Sequence, residues 1–185
     1  EEEKMLSSQI RQPTVAGRFY PDDPQELAQE VDSFLSDKGL PTPKIIIVPH
    51  AAYAYSGPTA GIGFTQLKNE KRVILVGTSH RAFFKGAAIY DGDGWQTPLG
   101  KVSIDTDVIK KLVTKNPHCH INNDAHSKGH GLEVQLPFLQ RVLDEFKIIP
   151  ILLNQTPHTL IKTIGDSLAA IMDEDTVLVV SSDLS

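Results

Sequence analysis

The chain has 185 residues, 40% hydrophobic and 22% charged, with 18 Lys and Arg against 23 Asp and Glu for a formal charge of −5. This is ordinary globular usage with no basic footprint for nucleic acid, and the longest apolar runs, Ile45–Val48 and Val177–Val180, are far too short for a membrane span. The acidic start at Glu1–Glu3 does not look like a secretory signal, and the single cysteine, Cys119, cannot form an internal disulfide, so a cytoplasmic protein is expected.

No repeat or long linker divides the sequence, which reads as one domain over residues 1–185. The first dozen residues are polar and expected to fray. Pro21–Glu26 is a helix start: Asp23 can cap, Pro24 suits the first helical position, and Glu26 completes a capping box. Leu27, Val31, Phe34 and Leu35 then share one face, and Gly39 and Pro41 stop the helix. Lys44–Val48 reads as a buried strand, followed by a helix over Pro58–Leu67 and a second strand at Arg72–Val76. Gly86–Ser103, with turn signals at Asp91–Gly94 and Pro98–Gly100, predicts a turn-rich β excursion. Asp105 caps a helix running to Thr114, and Leu132–Leu143 is helical with Pro137 near its first turns. Lys147–Leu153 is a strand that Pro150 assigns to an edge or a bulge. Pro157–Ile171 is a helix with Leu160, Ile161, Ile164 and Leu168 inward, and Thr176–Val180 is the last strand. Strands apolar on both faces, alternating with helices, predict an α/β fold with a mainly parallel central sheet and helices on both faces.

In such a sheet the segments that follow the strands emerge at one edge, where ligands bind. Those segments are Pro49-His50-Ala51-Ala52-Tyr53, Gly77-Thr78-Ser79-His80, Asn154-Gln155-Thr156 and Ser181-Ser182-Asp183. His50 and His80 therefore fall at one rim, and two imidazoles on rigid strand ends are natural ligands for a transition metal. Asp183 could add a carboxylate, while Ser79 and Tyr53 are further candidates for the pocket. Either histidine alone serves equally well as a surface or cap residue. The Ser79 loop lacks the glycine spacing and lysine of a phosphate loop. His130 is balanced between a site and a surface role, and His126 is expected at a solvated helix start. His118, Cys119 and His120 alternate without zinc-like spacing, and His158 is expected to be exposed. Ser56, Ser79, Ser182 and Cys119 are the possible nucleophiles, but none sits in a nucleophile-elbow or reactive-cysteine motif.

Five segments in order resemble the Memo family, of the type called protein B of the AmmeMemoRadiSam system. They are Arg11–Pro21 (RQPTVAGRFYP), Val48–Gly57 (VPHAAYAYSG), Gly77–His80 (GTSH), His130–Phe138 (HGLEVQLPF) and Ser181–Ser185 (SSDLS). The family resembles the class III extradiol dioxygenases, non-haem iron enzymes that open catechol rings. That resemblance implies two histidine metal ligands at His50 and His80. It also implies a third ligand and a general base from a segment beyond Ser185, so the chain is expected to lack the family's C-terminal segment. Ala52, Gly129 and Gly131 depart from the usual Gly, Glu and Ser of the family pattern.

The expected function is a metal-binding pocket of dioxygenase-like fold, taking a divalent transition metal such as iron or copper with zinc as a substitute. The competing reading is a non-catalytic binding or signalling module that keeps the pocket for a peptide or small molecule, since fold does not fix function. A serine hydrolase using Ser79 or Ser182 is a third reading. A sheet that ends on a strand with no covering helix leaves apolar surface exposed, so self-association is also expected.

Overall fold

The structure, a computed structural model, describes residues 9–183. Its elements follow in chain order as β1 (Ile10–Arg11), α1 (Pro24–Phe34), β2 (Ile45–Val48), α2 (Tyr53–Phe64), β3 (Arg72–Thr78), β4 (Gly86–Ile89), β5 (Gly94–Thr97) and β6 (Gly100–Ile104). They continue as α3 (Thr106–Lys115), β7 (Cys119–Ile121), α4 (Leu136–Val142), β8 (Lys147–Asn154), α5 (His158–Ala169) and β9 (Thr176–Ser181). The sheet runs β1-β5-β6-β8-β3-β9-β2, with β4 joining β7 to the distal half of β8. Pairing is parallel except for β5–β6 and β4–β8. The mainly parallel α/β sheet predicted from the strand pattern is therefore present. The step from β2 through α2 to β3 moves one way along the sheet, and that from β8 through α5 to β9 moves the other way. Right-handed crossovers then put α2 and α5 on opposite faces.

Local chemistry explains most element boundaries. Asp23 caps α1 by accepting from the backbone N–H groups of Gln25 and Glu26, both at 2.9 Å, and Asp105 caps α3 through Val108 N–H. Helix α1 stops at Phe34, before Gly39, because the chain turns extended at Leu35 and Ser36 N–H binds the Thr65 hydroxyl. Helix α2 starts earlier than its Ser-Gly signal, since Phe19 C=O takes the Tyr53 N–H and pins its first turn. In α5, Ile164 and Leu168 are buried as expected, but Ile161 is 42% exposed.

Three expectations are corrected. The first dozen residues do not all fray, because Ile10 and Arg11 pair in parallel with Gly94 and Trp95. Pro150 lies in a central strand, not at an edge. Its C=O accepts from Tyr90 N–H, so its nitrogen faces the same flank of β8. On that flank the neighbour changes from β6, ending opposite Ile148, to β4, beginning opposite Ile151. The missing N–H falls in that gap, where the ladder requires no donor. The third correction is His126, which is only 1% exposed and sets its Nε2 3.0 Å from the Ala88 carbonyl oxygen.

Glu133 ties the N-terminal motif to the rest of the molecule. Its fully buried carboxylate accepts from Arg11 Nη1 at 2.7 Å, from the backbone N–H groups of Thr14 and Val15, and from the hydroxyls of Thr14 and Tyr20. Burial alone would raise its pKa, but Arg11 and these donors prevail and hold it below the ordinary carboxylate value. Arg11 itself is 6% exposed, donates to the carbonyls of His126 and Gly129, and lies 4.3 Å over the Trp95 ring. Removing one partner leaves the other charge buried and unpaired, so Glu133→Ala should destabilise the fold by about 3–5 kcal/mol in chemical denaturation.

His126 adds a pH dependence. Burial lowers its pKa from 6.5 to about 4, so between those values the unfolded chain binds a proton that the folded chain refuses. Its contribution is complete above about pH 6.5 and is lost as pH falls toward 4, amounting to roughly 3 kcal/mol at the limit. NMR titration should show His126 unprotonated down to pH 5, while stability already declines below pH 6.5.

Candidate functional site

Strands β3, β9 and β2 lie side by side, with Gly77 and Val48 both level with Ser181. Their carboxyl ends therefore deliver His80, Asp183 and His50 to one rim. The ring centroids of His50 and His80 are 5.4 Å apart. His130 joins them from the segment before α4, at 5.8 Å from His50 and 6.0 Å from His80. Phe19 packs against His130 at 4.6 Å.

Ser181 organises this cluster. Its hydroxyl donates to the Gly131 carbonyl and accepts from Gln135 Nε2 at 3.0 Å, and Gln135 also donates to Pro49 C=O. With the hydroxyl proton committed, the contact of 3.0 Å between Ser181 Oγ and His50 Nδ1 requires the imidazole to donate. His50 is thus held as the Nδ1–H tautomer, and its Nε2 lone pair faces Asp183 Oδ2 at 3.5 Å. Asp183 is itself aimed by accepting the His50 backbone N–H through Oδ1 at 2.8 Å. Burial lowers the His50 pKa, offset in part by Asp183 and reinforced by His80, and burial likewise lowers that of His130. An imidazole lone pair directed at a carboxylate is relieved by a positive charge between them, either a proton on Nε2 or a metal ion. Nitrogen and carboxylate donors of this kind are those a transition metal takes.

The spacing is open. Among the described residues no group of three or more His, Cys, Asp or Glu side chains stands close enough together, as placed, to hold a metal ion. Imidazoles sharing a metal through bonds of about 2.0–2.1 Å hold their ring centroids roughly 5 Å apart, so the spacings here need only modest closure.

The other candidates fall into supporting places. Ser79 Oγ accepts from Ala82 N–H and its backbone binds Leu153 and Asn154, which shapes the turn bearing His80. Tyr53 does not line the pocket: it is 2% exposed, packs against Tyr20, Phe34 and Phe138, and its hydroxyl donates to Val134 C=O. His118, Cys119 and His120 lie on or beside β7, which β4 and β8 separate from β3 and the His80 turn. Sequence reasoning missed Ser181 and Gln135; both are buried polar residues inside motifs already singled out. Ser181, His50 and Asp183 have the composition of a hydrolase triad. However, the imidazole nitrogen facing Ser181 is a donor and cannot act as its base, and the serine is 2% exposed. Leu184 and Ser185 of the terminal motif lie outside the described residues.

Comparison with known proteins agrees with the motifs. The family model for Memo-like proteins matches residues 11–185. The chain belongs to the Memo family. It is 41% identical over 180 residues to a MEMO1 family protein of Aquifex aeolicus, covering 95% of this chain and 67% of that protein. A MEMO1 family protein of Nitrosopumilus maritimus is 37% identical over 188 residues, and one of Metallosphaera sedula 35% over 194, with 95% of this chain covered in each case. These cover 68% and 69% of the relatives' lengths, so the chain spans about two thirds of the Memo proteins it matches.

Metal titration by calorimetry with Zn(II) or Cu(II) tests this arrangement. His50→Ala and His80→Ala should each abolish binding at this rim, while His118→Ala and His158→Ala leave it unchanged. Ser181→Ala, which frees the His50 tautomer, should weaken it about 10- to 100-fold. Protons compete for the imidazoles, so affinity should fall with decreasing pH, and the burial that lowers the His50 pKa moves its share of that loss to lower pH.

Proposed function

We propose that this Memo protein binds a divalent transition metal between His50, His80 and Asp183, iron or copper with zinc as a substitute, and that the pocket serves chemistry of the extradiol dioxygenase kind. The observation that carries the reading is the fixed His50 tautomer, whose free Nε2 faces a carboxylate beside a second imidazole. A bound metal supplies Lewis acidity and, for iron or copper, electron transfer to oxygen. The protein's own part is to orient the His50 ring through Ser181, hold Asp183 by the His50 backbone, and keep His50 and His130 unprotonated at neutral pH.

A second reading, a non-catalytic module that keeps the pocket for a peptide or small molecule, draws support from a cleft of about 320 Å³ beside His130. Phe19 and His130 form one wall and Arg18, Arg81 and Lys128 contribute cationic side chains. Oxygen consumption by Fe(II)-loaded protein with catechol separates the two. Uptake that disappears in His50→Ala and His80→Ala supports the dioxygenase-like reading. Tight metal binding without uptake favours the binding module.

Self-association is part of the proposal. Ile45 and Ile47 on β2 are 57% and 55% exposed, on the face opposite buried Ile46 and Val48. Sedimentation velocity should show a concentration-dependent oligomer that Ile45→Glu with Ile47→Glu converts to monomer.

A further inference from the structure

Behind the His80 turn lies a second, small cavity of about 20 Å³, lined by residues that include Trp95, His126, Ser79, His80, Gly131 and Leu132. Two of its walls carry buried polar atoms with no partner: Trp95 Nε1 and His126 Nδ1. Both residues are 1% exposed, so neither atom reaches bulk solvent. Their chemistry is complementary. An indole nitrogen only donates. The Ala88 carbonyl 3.0 Å from His126 Nε2 only accepts, which places the imidazole proton on Nε2 and leaves Nδ1 as an acceptor. The donor and the acceptor sit on rings whose centroids are 5.7 Å apart, and both residues line a space large enough for one water molecule.

We propose that this cavity is a binding site for a single water molecule, which accepts from Trp95 Nε1–H and donates to His126 Nδ1. A small apolar molecule would leave both atoms unsatisfied, and a pure acceptor or a pure donor would leave one. Only a ligand that both donates and accepts meets the two walls, and the volume limits it to the size of water. The site links two parts of the molecule. Trp95 and His126 belong to the layer around Arg11, which stacks on the indole and binds the His126 carbonyl. Ser79, His80, Gly131 and Leu132 belong to the turns that carry His80, a ligand of the proposed metal site, and its neighbour His130. The water gives those turns a polar floor instead of a void.

Trp95 is the only tryptophan of the chain, so its indole proton is read without ambiguity. In metal-free protein, where no metal-bound water contributes, the Trp95 indole proton should show NOE and ROE contacts of opposite sign to the water resonance, the signature of a long-lived internal water. His126 Nδ1 should carry the nitrogen shift of an unprotonated acceptor. In Trp95→Phe, oxygen-17 relaxation dispersion should lose the amplitude of one long-lived water. Should that variant not fold, the contact in the unaltered protein still decides. An exchange-protected indole proton with no water contact would overturn the proposal, as would a scalar coupling across a direct N–H···N bond between Trp95 and His126.

Discussion

The buried carboxylate of Glu133 is the constraint on which the other parts depend. A charged group removed from water is tolerable only when its lone pairs are fully used, and here they are met by donors from Arg11, Thr14, Val15 and Tyr20. Meeting that requirement fixes the path of the N-terminal segment across the front of the sheet. The segment then performs two further tasks. Phe19 C=O starts α2 directly after the His50 loop, and the Phe19 ring packs on His130. Arg11, pulled in by the same carboxylate, orders the carbonyls of His126 and Gly129. One satisfied charge therefore sets two of the walls around the histidine cluster.

From that frame the site is assembled by strand ends and one hydroxyl. Parallel register brings His50, His80 and Asp183 to one rim, and Ser181, central in the triplet of strands, decides which nitrogen of His50 is free. Close packing enforces the arrangement: a Cβ on Gly77 would meet Leu132 Cδ2 at 2.7 Å, so the segment bearing His130 rests directly on β3. The preference of the His50 ring for the neutral state follows from the same burial that its neighbours create. What the rim offers is a set of nitrogen and oxygen donors whose mutual electrostatics favour a cation.

The parts of the fold that were legible in the sequence are those written in local pattern. The buried strands over Arg72–Val76 and Thr176–Val180, the Asp23 and Asp105 caps, and the β excursion over Gly86–Ser103 all rest on periodicity, capping or turn chemistry within a few residues. Lys44–Val48, expected to be buried, is instead an edge strand that exposes Ile45 and Ile47. The pairing of His50 with His80 was legible because both follow strands of one parallel sheet. What escaped was decided by tertiary partners. Pro150 misled because a central strand can lack a donor where its neighbour changes from β6 to β4. His126 read as solvated because nothing nearby in sequence announces the Ala88 carbonyl or the Trp95 ring that enclose it. Glu133 carried no local sign of its burial, because its partners lie more than a hundred residues earlier. Ser181 escaped notice because its role depends on two other motifs meeting it in space.

The central claim is that the rim formed by His50, His80 and Asp183 is a divalent-cation site. Anomalous diffraction from a crystal equilibrated with Zn(II), recorded on either side of the zinc absorption edge, tests it most directly. The account predicts a peak within bonding distance, about 2 Å, of His50 Nε2 and of a His80 ring nitrogen, with Asp183 in contact. A peak confined to His118, His120 or His158, or none at the rim at saturating zinc, would contradict it.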